Sequence, residues 1–77
     1  MTYYEGFQTV NIYKEGCLTR KNHQSFDEAL KAYKKHKSHP HAVAGELLRI
    51  TYKKGLFGKI SVKSVFCIMD WARWKEE

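Results

Sequence analysis

Residues 25–37 read Ser-Phe-Asp-Glu-Ala-Leu-Lys-Ala-Tyr-Lys-Lys-His-Lys, and this stretch decides the fold class. Ser25 is a favourable N-cap, and Glu28, three residues later, completes a capping box. Lysines crowd the last turn, where the helix dipole favours cations, and Pro40 stops the helix from continuing. Apolar side chains recur at the spacing of one helix face: Phe26, Ala29, Leu30 and Tyr33. The sequence therefore predicts an amphipathic helix over residues 26–37.

Four other segments have the β-branched, aromatic or alternating composition of strands, namely residues 7–14, 17–21, 47–54 and 59–69. Between the first two, Gly16 supplies the positive φ of a tight turn. A two-residue loop, Glu15-Gly16, would place Tyr13 opposite Leu18 and Asn11 opposite Arg20. In the third segment, Leu48, Ile50 and Tyr52 alternate with Arg49, Thr51 and Lys53, the pattern of a half-buried strand.

The last strand is apolar on both faces in its second half. The candidates for burial are Ile60, Val62, Phe66 and Ile68, and the apolar residues Val65, Cys67 and Met69 occupy the opposite face. Such a strand is either central in its sheet or covered by a second molecule. Residues 70–77 are predicted to form one helical turn that stacks Trp71 and Trp74 at i, i+3.

These elements predict an α+β fold, an antiparallel sheet in β-β-α-β-β order with one helix packed on one face. Residues 1–77 form a single small basic domain, because a chain of 77 residues has no room for a second core. A Gly55-Leu-Phe-Gly58 turn joins the last two strands.

The charge of the chain indicates its class of partner. Fourteen Lys and Arg against eight Asp and Glu leave a net charge of +6, which favours nucleic acid, an anionic surface or an acidic protein. A charge needed only for solubility is the simpler alternative. No apolar stretch is long enough to span a membrane, so no membrane partner is expected. Cys17 and Cys67 are expected to be reduced thiols of a cytoplasmic protein, with a bridge between them as the alternative.

Cations with nearby aromatic residues make nucleic-acid binding the first hypothesis, because ammonium groups neutralise phosphates and aromatic rings stack on unpaired bases. RNA or single strands are preferred over duplex DNA, since no recognition helix is evident beyond the one that packs on the sheet. Lys59 and Lys63 are further cations of the last strand. The predicted contact residues are Arg20, Lys21, Lys31, Lys34, Lys35, Arg49, Tyr52, Lys53, Lys54 and Phe57.

The second hypothesis is a protein-binding inhibitor or regulator of an acidic or nucleic-acid-associated factor, because Trp and Met are enriched in interface cores. Its anchors would be Phe66, Met69, Trp71 and Trp74, joined by Phe57. The same residues could close a homodimer. Alternatively, the two tryptophans fold back and cap the open face of the sheet.

Neither a metal, a cofactor nor catalysis is expected. His36, His39 and His41 surround Pro40, but their spacing matches no established zinc pattern. No nucleophile elbow, phosphate loop or paired-carboxylate motif is present in the sequence. In size, charge and element order, the chain resembles the small accessory proteins that bacteriophages encode. That resemblance implies inhibition of a host factor through protein or RNA, without assigning any residue.

Overall fold

The computed structural model of the protein describes residues 2–73. Its elements are β1 (Thr2–Tyr13), β2 (Leu18–His23), α1 (Phe26–Lys37), β3 (Ala42–Lys54), a 3-10 turn (Leu56–Gly58) and β4 (Ile60–Ala72). All four strands pair antiparallel, in the spatial order β2-β1-β3-β4. The α+β class, with an antiparallel sheet and one helix, is confirmed.

The helix follows the sequence prediction, with the same first and last residues. The Ser25 hydroxyl accepts a hydrogen bond from the Glu28 amide at 3.3 Å, which satisfies one of the free donors of the first turn. The buried residues of the helix are Ala29, Tyr33 and His36. The buried stripe therefore lies closer to the C-terminal end of the helix than the predicted stripe. Phe26, predicted to be core, is exposed because it lies at the border of the sheet, where its ring meets Phe7 edge-on at 5.8 Å.

The predicted hairpin register between β1 and β2 is wrong by one residue. Ile12 lies opposite Leu18, and Asn11 opposite Thr19. The Tyr13 amide donates to the Cys17 carbonyl at 2.9 Å, so the loop contains three residues, 14–16. Gly16 does adopt positive φ, at 82°, but as the left-handed residue that ends a three-residue loop.

The three long strands extend beyond their predicted ends. β1 begins at Thr2, which pairs with Lys54, and β3 begins at Ala42, which pairs with Tyr13. β4 continues to Ala72, which pairs with Ala44. The helical turn predicted for residues 70–77 is therefore wrong up to residue 72, because ladder pairing with β3 extends the strand. Residues 74–77 of that prediction, including Trp74, lie outside the described residues.

Both faces of the sheet contribute to the core. On the helix side, Ala29, Tyr33 and Leu47 form a buried cluster, against which Phe7, Leu30, Ile68 and Trp71 pack. On the opposite face, Val10, Leu48 and Ile50 are buried together, with Tyr52 packed against them. The alternation predicted for β3 is confirmed, and it places Leu48, Ile50 and Tyr52 on the face without the helix.

β4 is an edge strand, so the prediction of a central position is wrong. Ile60, Val62 and Phe66, predicted to be buried, are more than half exposed, and only Ile68 of that set packs on the core. The reason is that β4 has a neighbour on one side only, and its first half lies beyond the reach of α1. Coverage by a second molecule, the other alternative for this strand, stays a prediction.

The helix covers only one end of the sheet. A helix of 12 residues is about 18 Å long, whereas a strand of 12 residues is about 40 Å long. β2 pairs with β1 only from Phe7 onward. Beyond that point β1, β3 and β4 continue as a three-stranded sheet, which α1 does not cover and β2 does not extend. We call this extension the arm: residues 2–6 of β1, 49–54 of β3, 60–66 of β4 and the turn between them.

Candidate nucleic-acid interface

Two pairs of a cation and an aromatic ring lie on the arm. The Lys63 ammonium is 4.4 Å from the centre of the Tyr3 ring, and the Arg49 guanidinium carbon is 5.2 Å from the centre of the Phe66 ring. Tyr3 and Phe66 are 51% and 57% exposed, so both rings remain accessible to a ligand. Each pair therefore places a positive charge over one face of a half-exposed aromatic ring.

The register of the strands places both pairs on the helix side of the sheet. Residues directly opposite each other share a face; Tyr3 lies opposite Lys53, and Arg49 opposite Phe66. Lys63 is the extra residue of a β-bulge, because Thr51 pairs with Ser64 and Tyr52 pairs with Val62. A bulge re-aims a side chain, and this one directs the Lys63 ammonium over the Tyr3 ring. We call Tyr3, Arg49, Lys53, Lys63 and Phe66 the arm surface.

The electrostatics of the arm are strongly positive. Residues 51–64 contain four lysines and no acidic residue. The carboxylate of Glu5 lies 3.9 Å from the Arg49 guanidinium, and both side chains are about half exposed. An exposed ion pair of this length is worth little, so Arg49 remains available to a phosphate.

A cavity of about 440 Å³ lies beside the arm, where β2 ends and β1 loses its outer neighbour. Most of the residues that line it have aromatic or polar side chains. The lining residues are Tyr4, Glu5, Gly6, Phe7, Asn22, His23, Gln24 and Tyr52. Amide, imidazole and ring side chains of this kind can stack on an unpaired base and hydrogen-bond its edges. The cavity therefore extends the candidate interface from the arm toward the end of β2.

The predicted nucleic-acid contacts on β3 lie on both faces of the sheet. Arg49 and Lys53 belong to the arm surface. Tyr52 and Lys54 alternate with them and face the other way, and Tyr52 packs against the Val10 cluster. Phe57 lies in the turn at the end of the arm and is fully exposed.

The remaining predicted cations lie away from the arm. Lys31, Lys34 and Lys35 are exposed on α1. Lys21 and Lys35 line one cavity of about 230 Å³, whereas the Arg20 guanidinium lies on the other face of the sheet and donates to the Gln8 side chain at 3.3 Å. The predicted cations thus form distinct patches, and the cavity between Lys21 and Lys35 is also lined by Tyr13, His36 and His39.

Sequence reasoning missed two parts of the arm surface. Tyr3 was outside the predicted first strand, and Lys63 was named as a cation without a place in the site. Phe66 was assigned to a protein interface. The Tyr3-Tyr4 pair before an alternating segment was a usable signal for a longer strand, but no local signal reveals the bulge that brings Lys63 to Tyr3.

The residues of the proposed protein interface have different environments. Phe66 is exposed and Met69 is 38% exposed, both on the edge strand. Trp71 is half-buried against the helix-side core, with its ring centre 5.7 Å from that of His36 and 5.3 Å from the Arg73 guanidinium carbon. Trp71 thus folds back onto the sheet, but on the face that the helix covers and not on the open face that the alternative interpretation expected.

Three of the four histidines, His36, His39 and His41, occupy one corner of the fold. His36 is buried, and its Nε2 donates to the Ala44 carbonyl at 2.8 Å. Its Nδ1 has no hydrogen-bond partner among the described residues. The rings of His39 and His41 lie 5.8 Å apart. Within residues 2–73, no group of three or more His, Cys, Asp or Glu side chains comes close enough to hold a metal ion.

The two cysteines are free and exposed. Partial burial raises the pKa of the Cys67 thiol, and the nearby carboxylates of Asp70 and Glu46 raise it further. Because the thiolate is the nucleophilic form, these neighbours make Cys67 a poorer nucleophile than an ordinary cysteine.

Comparison of the chain with protein-family models, curated proteins and solved structures finds no match. In the described part of the chain, no helix has the length and apolar character needed to cross a membrane. The resemblance to phage accessory proteins stays a prediction.

Proposed function

We propose that this protein is a non-enzymatic module that binds single-stranded nucleic acid, with RNA preferred, through the arm surface. The observation that supports this best is the placement of two exposed aromatic rings, Tyr3 and Phe66, each beside a cation on one face of the sheet. A base could stack on each ring when the cation moves from the ring face to the neighbouring phosphate.

Single strands fit this surface better than a duplex does. Stacking on a ring requires a base whose face is free, and bases in a duplex are covered by their neighbours. The arm also lacks a protruding helix that could enter a major groove. Tyr3 and Phe66 are therefore assigned to stacking, and Arg49, Lys53 and Lys63 to phosphate contacts.

The test compares two triple variants that remove the same charge from different patches. Arg49→Gln, Lys53→Gln and Lys63→Gln neutralise the arm surface; Lys31→Gln, Lys34→Gln and Lys35→Gln neutralise the helix patch. Binding to labelled single-stranded RNA, single-stranded DNA and duplex DNA is measured by fluorescence anisotropy across a salt titration. The arm triple is expected to flatten the slope of log K against log salt by about 2, since each lost phosphate contact contributes roughly 0.7.

The helix triple is the control, because it changes net charge equally while leaving the rings in place. Equal losses from both triples would contradict an arm-centred site and indicate nonspecific attraction to a basic protein. Tyr3→Ala with Phe66→Ala should weaken binding at every salt concentration without changing the slope, because stacking releases no counterions.

A second candidate function is protein binding at the β4 edge, as an inhibitor or regulator of an acidic or nucleic-acid-associated factor, or as a homodimer. It is favoured by the row of exposed apolar side chains on this edge strand, Val62, Val65, Phe66 and Met69. An exposed edge can accept a further strand from another chain. If the folded protein binds none of the three oligonucleotides, this candidate replaces the first.

A further inference from the structure

The turn at the end of the arm presents two large apolar side chains to solvent. Leu56 is 86% exposed and Phe57 is fully exposed. Phe57 also has a φ of 69°, a left-handed conformation that is unfavourable for a residue with a side chain. Because its ring packs against nothing that would offset this strain, the turn resembles a site where strain is retained for function.

The backbone holds this apex in place. The Gly55 amide donates to the Lys59 carbonyl at 2.9 Å, and the Gly58 amide donates to the Gly55 carbonyl at 3.3 Å. Gly58 has a φ of 74°, which only glycine adopts without strain. Leu56 and Phe57 are therefore displayed by a closed turn rather than by a long loop.

Cations and tyrosines lie immediately behind the apex. The first rung of the arm contains Lys54, the second contains Lys53 and Tyr3, and the third contains Tyr4 and Tyr52. At about 3.3 Å per residue, these rungs fall within roughly 10 Å of the apex. Lys53 and Lys54 point to opposite faces of the sheet, and Lys59 adjoins the turn, so positive charge surrounds the apex.

We propose that this turn docks the protein on an anionic phospholipid bilayer, with Leu56 and Phe57 inserted among the upper acyl chains. Surface-bound elements bury their apolar residues about 5–10 Å into the headgroup and acyl boundary. At that depth Lys53, Lys54 and Lys59 reach the lipid phosphates, and the tyrosines reach the interface where amphipathic rings concentrate. Docking of this kind requires no membrane-spanning segment, so it departs from the expectation of no membrane partner, which rested on the absence of such a segment.

A bilayer accounts for the apex better than a nucleic acid does. A base could stack on the Phe57 ring, but Leu56 offers no flat surface to a base, and both side chains gain from transfer into hydrocarbon. Exposed apolar side chains also continue behind the apex, at Ile60 and Val62. Charge complementarity favours an anionic bilayer, because no acidic residue interrupts residues 51–64.

The experiment measures binding of the full chain to vesicles by flotation. Vesicles of phosphatidylcholine alone are compared with vesicles that contain about one-third phosphatidylglycerol. Leu56→Ser with Phe57→Ser is expected to reduce partitioning onto the anionic vesicles by about 100-fold or more, since two apolar side chains lose their insertion. Lys54→Gln with Lys59→Gln should reduce it by roughly 30-fold. Leu18→Ser, which changes an exposed leucine on β2, serves as the control and should bind as the unmodified chain does.

Phe57→Trp gives an independent readout that does not depend on affinity. After subtraction of the emission of Trp71 and Trp74, its fluorescence should shift to the blue on anionic vesicles and be quenched by brominated acyl chains. Leu18→Trp should show neither effect. Absence of flotation and of a spectral shift, in protein that circular dichroism shows to be folded, would overturn the proposal.

Two further outcomes also decide against insertion. Equal flotation of the apex variant and the unmodified chain would mean that charge alone attracts the protein to lipid. A Phe57→Trp signal that responds to single-stranded RNA but not to vesicles would assign the apex to nucleic acid. The arm-surface variants test the proposed function separately, so failure of one proposal leaves the other standing.

Discussion

At the scale of single residues, Gly45 shows why one position of β3 tolerates no side chain. A Cβ atom at this position would lie 2.5 Å from the indole Nε1 of Trp71 and 3.2 Å from the His36 ring. Gly45→Ala is therefore expected to lower the free energy of unfolding by about 1–3 kcal/mol, since overpacking forces neighbouring groups to move. Urea denaturation monitored by circular dichroism measures this loss.

Gly55→Ala is the matched control for that substitution. Its Cβ would lie at an ordinary 3.8 Å from the Lys59 carbonyl oxygen, and its φ is −87°. This variant should be neutral or more stable by up to roughly 1 kcal/mol, because alanine reduces the entropy of the unfolded chain. Equal destabilisation of both variants would show that the contact of Gly45 with Trp71 is not the cause.

At the scale of elements, the helix depends on local signals, and its cap is the contact to test. Ser25→Ala removes the acceptor of the Glu28 amide and should destabilise the protein by about 1 kcal/mol. Ser64→Ala, at an exposed strand position, should change stability by less than about 0.5 kcal/mol. Thermal unfolding of the two variants makes the comparison; a Ser25→Ala protein as stable as the Ser64→Ala protein would contradict the capping role.

The strands, in contrast, depend on partners that are distant in sequence. The sequence predicted that strands exist near residues 7–14 and 47–54, but not that β1 extends to Thr2 or β3 back to Ala42. Those ends are stabilised by ladder pairing between β1 and β3, which local propensity does not reveal. Two bulges also change which β4 side chains share a face, so simple alternation placed Val62 and Phe66 on one face although they lie on opposite faces.

At the scale of the whole molecule, the arm should be the less stable end. Residues 51–53 lie in the part of β3 that has no helix over it, whereas the Leu47 side chain, in the same strand, packs beneath α1. Hydrogen exchange measured by NMR should be at least about tenfold faster at residues 51–53 than at Leu47 and Leu48, a difference of roughly 1.4 kcal/mol in opening free energy. Uniform protection along β3 would show that the sheet opens as one unit and that the helix does not stabilise its end selectively.

The sequence by itself determined the α+β class, the first and last residues of the helix, its cap and the excess of positive charge. These follow from residues that are neighbours in the chain, through capping, helical periodicity and composition. Only the tertiary structure decided the hairpin register, the edge position of β4 and the length of the arm. It also decided the pairing of Lys63 with Tyr3 and of Arg49 with Phe66. The physical reason is that these contacts join residues distant in sequence, and their geometry depends on strand register and bulges, which are set by how the whole sheet assembles.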